Sequence, residues 1–531
     1  MKRILRLCLI GIFMALPTWL MAVETKNLLS ELTQTKLSKM PAVLEQLEAQ
    51  GDESLLPVFR AWLGGDLYYT RADSHLVVKT KVAGETVYMG VFSQEVDAEL
   101  GSKQVRKIKV NNKLRGLLRG TIARLQLTSK QPELRESAVR ELLADLDRDT
   151  FTTLEALYPQ ETHSSVQEMM QTALSLYTAK DPKQSQSARL AAIDYLSASL
   201  ENDVRNGLVQ LSQDGNAVIA AASNKALDRI NQSVERYAFV DQLFFGLSLG
   251  SVLLLASIGL AITFGVMGVI NMAHGEMIML GAYTTYVVQL IMPNYIDYSI
   301  WVAIPAAFLV SGLMGVLIER LVICRLHGRP LETLLATFGI SLILQQLVRT
   351  IFSPLNRQVS TPSWMSGSWE INPVLSLTLN RLYILAFALL VFIALVLILK
   401  KSSLGLNVRA VSQNRSMAKA MGVKTEWVDA MTFGLGSGIA GIAGVALSQL
   451  TNVGPNLGQA YIIDSFMVVV FGGVGNLLGA LVAAFTLGIA NKFLEPTTGA
   501  VLAAIFVLVF IILFIQKRPK GLFPQKGRAA E

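Results

Sequence analysis

Nine apolar runs, most of about 20 residues, fill the stretch from 242 to 515 of this 531-residue chain. A run of that length matches the hydrocarbon thickness of a bilayer, and inside lipid every backbone polar group must be bonded within its own segment. Such runs are therefore helices. We place them near 242–262, 266–292, 300–323, 333–352, 382–399, 429–450, 463–476, 478–493 and 499–515. The two runs around Gly472-Gly473-Val474-Gly475-Asn476-Leu477-Leu478-Gly479 are short, which leaves a re-entrant pair or two full crossings as the readings.

One of these runs is interrupted. Phe264 to Tyr283 reads FGVMGVINMAHGEMIMLGAY, with Asn271, His274 and Glu276 among glycines that include Gly275. A charged side chain at mid-membrane costs about 2.5–3.5 kcal/mol on insertion scales, so it persists where it faces protein or water. Glycines let backbones approach closely or let a helix unwind where it lines a cavity. A broken helix bearing polar groups at membrane depth marks a transport path. The alternative is a turn between two spans, capped by the same residues.

Charge divides the chain in two. Residues 23–236 are rich in Lys, Arg, Glu and Asp, whereas 241–515 are not. The net charge of +8 gathers at the ends of apolar spans, as orientation signals do, so nucleic acid is not an expected partner. Lys2, Arg3 and Arg6 followed by the apolar Leu7–Leu20 read as a signal peptide, 1–22, cleaved after Ala22. Fourteen basic residues, among them Arg325, Arg329, Lys400, Lys401, Lys517 and Arg518, fall on one side of the spans, against four on the other. The richer side is expected to be cytoplasmic. Residues 23–236 then lie outside the cytoplasm and the tail, 524–531, inside.

The exported part reads as mostly helical. Leu28, Leu29, Leu32, Leu37, Met40, Leu44 and Leu47 recur at helical spacing, with Pro41 starting a second helix. Within 66–110, Leu76–Val78, Thr86–Met89 and Ile108–Val110 are short β-branched runs, which predict a small antiparallel sheet inserted among helices. Beyond Gln131, PELRESAVRELLADL, SARLAAIDYLSASL and AVIAAASNKALDRI look like degenerate helical repeats of the HEAT type. The fold class is accordingly mainly α: a polytopic helical membrane domain of about eight or nine spans, preceded by this exported domain. No nucleophile–base pair, metal-ligand cluster or phosphate loop stands out. His75 and His163 read as isolated surface or turn residues, so no metal, cofactor or catalysis is expected.

Two loops carry further information. The external stretch 353–381 holds Trp364 and Trp369, which suit the membrane interface. In the cytoplasmic stretch 400–428, Met417-Ala418-Lys419-Ala420-Met421 predicts a short helix capped at Gly422, a peg for a socket on a partner. An ordinary interfacial helix would show the same pattern.

INMAHGEMIMLGAY at 270–283, RAVSQNRSMAKAMGVKTEWVDAMTFGLGSGIAGIAGV at 409–445 and VVVFGGVGNLLGALVAAFTLGIA at 468–490 resemble permease subunits of ABC importers. The resemblance covers most of 241–523. It is to the branched-chain amino-acid permease family in its H-type subunit, and the long exported extension is similar to that of the urea-transporting B subunits. It implies a bacterial inner-membrane importer in which a periplasmic binding protein delivers urea. A homologous permease partner would complete the path, and two ATP-binding subunits would drive it. The 531 residues contain no G-x-x-x-x-G-K-[ST] motif, which fits ATP bound in trans. The resemblance further assigns Met417, Ala418, Ala420 and Gly422 to the helix that couples to the ATPase. It places the path near Asn271, His274, Gly275 and Glu276, with Gly472, Gly473, Gly475 and Asn476 as the counterpart break. The alternatives are amino acids as solute, or a passive channel or membrane-tethered sensor.

Overall fold

The structure, a computed structural model, describes residues 28–50, 53–82, 85–93, 96–97, 100–101, 104–326 and 328–523. The expected signal peptide and the tail 524–531 lie outside the described residues. The chain forms two compact units, one up to Ser233 and the other from Val234.

The first unit begins with helical residues 28–34. It continues through α1 (Met40–Ala49) and α2 (Leu56–Gly64), each with a proline in its first turn, where the missing N–H is no loss. Strands β1 (Leu67–Thr70), β2 (Leu76–Val82), β3 (Glu85–Gly90), β4 (Val96–Asp97) and β5 (Val105–Lys107) make one antiparallel sheet in the order β4-β3-β2-β1-β5. Alternation sorts its side chains: Leu67 joins Phe59, Trp62 and Leu114 in the helical core, while Val77, Tyr88 and Val105 cluster separately with Tyr68. The expected strand at Ile108–Val110 is a correction. Ile108 still donates to the Leu67 carbonyl, but Lys109 turns its own carbonyl to the Trp62 indole, and the strand ends at Lys107.

Helices follow: α3 (Asn112–Gln126), α4 (Pro132–Leu142), α5 (Arg148–Leu157), α6 (Ser164–Lys180), α7 (Gln186–Leu196) and α8 (Asn202–Leu211). Asn111 and Asp147 cap α3 and α5 by accepting from the Leu114 and Thr150 amides. Glu48 ties α1 to α3 through Thr121 (2.7 Å) and Arg124. Arg135 grips Glu161 with two nitrogens at 2.7 and 2.8 Å, and that contact pushes the Glu161 carboxyl down to about 2. The lowered value makes the pair stabilising above the ordinary carboxylate range, a contribution lost as the pH falls toward 2.

The second unit is mainly helical. Its long elements are α9 (Ala217–Met267, which contains the division point), α10 (His274–Ile291), α11 (Ile296–Leu321), α12 (Pro330–Phe352) and α13 (Leu379–Lys401). Two short helices, α14 (Ser403–Gln413) and α15 (Arg415–Ala420), lead to α16 (Thr425–Ser448), α17 (Leu457–Gly472), α18 (Leu477–Thr498) and α19 (Ala500–Lys517). A small hairpin, β6 (Ser368–Glu370) with β7 (Ser376–Thr378), sits in the loop before α13. Among the described residues seven helices are long and apolar enough to cross a membrane. Of the other expected spans, α17 has 16 residues. The run expected over 266–292 is split: its first two residues end α9 and the rest is helical from His274, because the backbone breaks at 268–273.

Helix α16 is the axis of this unit. Its apolar window is 83% buried, against 17% for α19, whose Val501, Phe506 and Leu513 face outward as lipid contacts do. Small residues bring three neighbours onto it. A Cβ on Gly436 would stand 2.7 Å from the Gly259 carbonyl of α9, one on Gly444 2.6 Å from the Ala282 amide of α10, and one on Gly441 2.6 Å from Ser311 of α11. Where lipid replaces water, such close backbone contact is what holds helices together.

Candidate translocation path and docking helix

The first break spans 268–273, between α9 and α10. Three of its freed backbone amides find partners within the protein, which backbone groups need at membrane depth. The Gly268 amide donates to Phe264, the Met272 amide to the Thr337 hydroxyl (3.2 Å) and the Ala273 amide to the Asn271 side chain (3.0 Å). Asn271, His274 and Glu276 are all buried, at 1%, 0% and 1% exposure. His274 Nε2 donates to the Ala256 carbonyl at 2.9 Å, back on α9, and its Nδ1 has no partner among the described residues. Gly275 lies against Gly458 at the start of α17, where a Cβ would meet the carbonyl carbon at 2.8 Å.

Glu276 faces α12. Its Oε1 accepts from Ser341 Oγ and Gln345 Nε2, both at 2.8 Å, while Oε2 accepts nothing among the described residues. These partners belong to a stripe, Thr333, Thr337, Ser341 and Gln345, at four-residue intervals and at most 3% exposed. Sequence reasoning missed the stripe. Its signal was the spacing, which lines polar groups along one helix face.

The second break lies between α17 and α18. Gly473 and Gly475 hold φ of +105° and +79°, a region that glycine enters without strain. Asn476 caps α18 through the Gly479 amide at 3.1 Å, and its Nδ2 donates to the Phe523 carbonyl at 3.1 Å. The chain's last described residues pair with the same break: Leu522 donates to the Phe471 carbonyl (2.9 Å) and Phe523 to that of Gly472 (3.1 Å). Gly472 packs on Gly479 and Gly473 on this terminal strap, whereas Gly475 and Asn476 face an open cavity of about 940 Å³.

The structure thus separates the eight expected path residues. Only Gly475 and Asn476 line the cavity, together with Gly265, Val266, Gly405 and Arg409. Asn271, His274, Gly275 and Glu276 are enclosed by their own chain. The two breaks nevertheless adjoin, because Gly265 at the end of α9 lies against Gly475 (3.2 Å from an added Cβ to the amide nitrogen).

The short helix α15 is shaped by its ends. Asn414 caps it through the Met417 amide at 2.9 Å. Gly422, at φ +89°, closes it, with Val423 bonded to the Ala418 carbonyl (3.0 Å) and Gly422 to that of Lys419 (3.1 Å). Ala418 is buried in a cluster with Val408, Val411 and Val428. Met417 and Met421, 59% and 78% exposed, point the other way, and Ala420 and Gly422 are exposed beside them.

The family described as "Branched-chain amino acid transport system / permease component" matches residues 242–516. The permease protein LivH of Salmonella typhimurium, named for high-affinity branched-chain amino acid transport, is 30% identical over 295 residues, which cover 54% of this chain and 95% of that protein. BraD of Pseudomonas aeruginosa, similarly named, is 28% identical over 298 residues, 54% of this chain and 96% of its own. A probable LivH of Methanocaldococcus jannaschii is 27% identical over 248 residues, 46% and 77%. No solved structure matches the chain. A bundle of membrane-length helices with two interrupted spans, matched across that whole stretch, makes this chain a multi-pass member of the family of branched-chain amino acid transport system permease components.

Proposed function

We propose that this chain is the permease subunit of an ATP-driven importer for urea or a short-chain amide, working with a homologous permease, two ATP-binding subunits and an extracytoplasmic binding protein. The observation that carries the reading is α15, a capped helix rooted by Ala418 with Met417 and Met421 free to enter a partner. Methionines adapt to a socket that changes shape. Charge bias supports a cytoplasmic position for that helix and the C-terminus, and the lining of the cavity of about 940 Å³ includes Lys400 and Arg409 from the same basic stretch. Residues 23–236 would then lie outside, as a docking or structural module beyond the stretch that nearly fills the length of the relatives.

The cavity walls at Gly475 and Asn476 would form one side of the path, with the partner permease as the other. Glu276 would meet solute through its unpaired Oε2 when α10 and α12 part. Weak neutral hydrogen-bonding groups suit a small uncharged solute that must leave as readily as it enters. Branched-chain amino acids are the second reading, favoured by the names of the relatives. The test is uptake of labelled urea and of labelled leucine by the assembled complex, with and without ATP. ATP-dependent urea uptake supports the first reading, and leucine uptake alone sinks it. Ala418→Asp should abolish either uptake while the protein still inserts.

A further inference from the structure

The root of the docking helix carries more charge than docking needs. Arg415, the first residue of α15, reaches Asp429 on α16 with both terminal nitrogens: Nη1 stands 3.1 Å from Oδ1, and Nη2 pairs with Oδ2. Asp429 is 2% exposed. A second buried carboxylate, Glu319 near the end of α11, lines the same pocket of about 530 Å³, with Lys419 and Glu426 at its rim. Glu319 is 1% exposed, and its Oε2 accepts no hydrogen bond among the described residues. The cation beside it, Arg320, keeps 3.8 Å away and lies over the Trp427 ring at 5.2 Å. One guanidinium therefore shares a roomy pocket with two buried acidic groups, of which it satisfies one.

Those two groups stand on helices packed as a single body. Gly315 of α11 is closed against Ser437 of α16, and Gly438 of α16 against Phe308 of α11. A buried carboxylate with a poor partner is costly, and a buried pair repays desolvation only with good geometry. Two alternative pairings of one planar fork give two discrete arrangements rather than a continuum.

We propose that Arg415 is a positioning residue that hands over from Asp429 to Glu319 as α15 is pushed, so that the stroke of the motor reaches α11 and α16 together. This rests on reading 414–422 as the docking helix. The space around Glu319 is the room the guanidinium needs, and its Oε2, which accepts no hydrogen bond among the described residues and has Arg320 only at 3.8 Å, is the acceptor for it.

The experiment uses the whole importer in lipid vesicles, with solute uptake and ATP hydrolysis measured in one sample. Glu319→Gln and Arg415→Lys should each lower uptake per ATP about tenfold while hydrolysis persists. Uptake per ATP unchanged in Glu319→Gln, or uptake and hydrolysis falling in parallel, would make the pair a static anchor and overturn the handover. A second measurement does not depend on those variants folding well. In a Cys324→Ser background, Arg415→Cys should cross-link to Asp429→Cys without nucleotide and to Glu319→Cys only in the nucleotide-trapped state. Failure of the second cross-link in every state also overturns it. Met417→Asp separates the two readings: if it abolishes uptake while Glu319→Gln is silent, the handover alone falls. If it is harmless, the docking reading falls as well.

Discussion

Between Gly268 and Ala273 the interrupted backbone is met by side chains of its own turn and of α12, whereas at Phe471 and Gly472, on the edge of the second break, it is met by the main chain of Leu522 and Phe523. The first seal is polar and, apart from the exposed Gly268, buried or half-buried, with Thr337 bonding the break itself and Ser341 and Gln345 bonding Glu276 just beyond it. The second is a backbone pairing at the edge of an open cavity, fastened by a single amide, Asn476. Seals of the first kind hold a fixed geometry, because each buried polar group is expensive to leave alone. A seal of the second kind, flanked by solvent-reachable space, can be undone and remade at small cost. We infer that the first break is the frame and the second the moving part.

The largest effect should come from Gly275→Val. Its side chain has to enter the Gly458 backbone, an overpacking that costs about 3 kcal/mol or more, and uptake should vanish with a loss of monodisperse protein. Near-normal uptake would show that the first break is not rigid. Glu276→Ala comes next. It strips Ser341 and Gln345 of their acceptor at a cost of about 2 kcal/mol, seen as a lowered thermal midpoint, and Glu276→Gln should recover most of the loss. Ending the chain at Lys520 removes the strap and three hydrogen bonds, roughly 1–2 kcal/mol where water can replace them. Faster amide exchange should then appear around 470–480 and not around 268–280. Equal acceleration at both sites would erase the distinction. The mildest change is Thr337→Val, which leaves only the Met272 amide unbonded and should cost about 1 kcal/mol, with uptake lowered a few-fold.

How much of this could be read from residues alone differs by feature. Asn271, His274 and Glu276 were visible because polar groups inside an apolar run are rare enough to be conspicuous. The short helix α15 was visible because Gly422 announces its end locally, although the helix begins at Arg415 rather than Met417. The polar stripe on α12 was not, since Thr and Ser are unremarkable singly in a membrane helix and only their common interval betrays them. The strap at Gly521–Phe523 leaves no local pattern at all, because it pairs backbone with backbone some 50 residues away. The two carboxylates around Arg415 come from helices more than a hundred residues apart, so their meeting is a property of the fold.

The glycine faces of α16 have a practical corollary. Where neighbours rest on its bare main chain, at Gly436, Gly441 and Gly444, this helix has little side-chain cushion to absorb a push, and it is about 36 Å long, at 1.5 Å for each of its 24 residues. A displacement imposed at Thr425 is then expected to emerge at Ser448, at the helix's other end. Distance probes attached at the two tips should register equal travel.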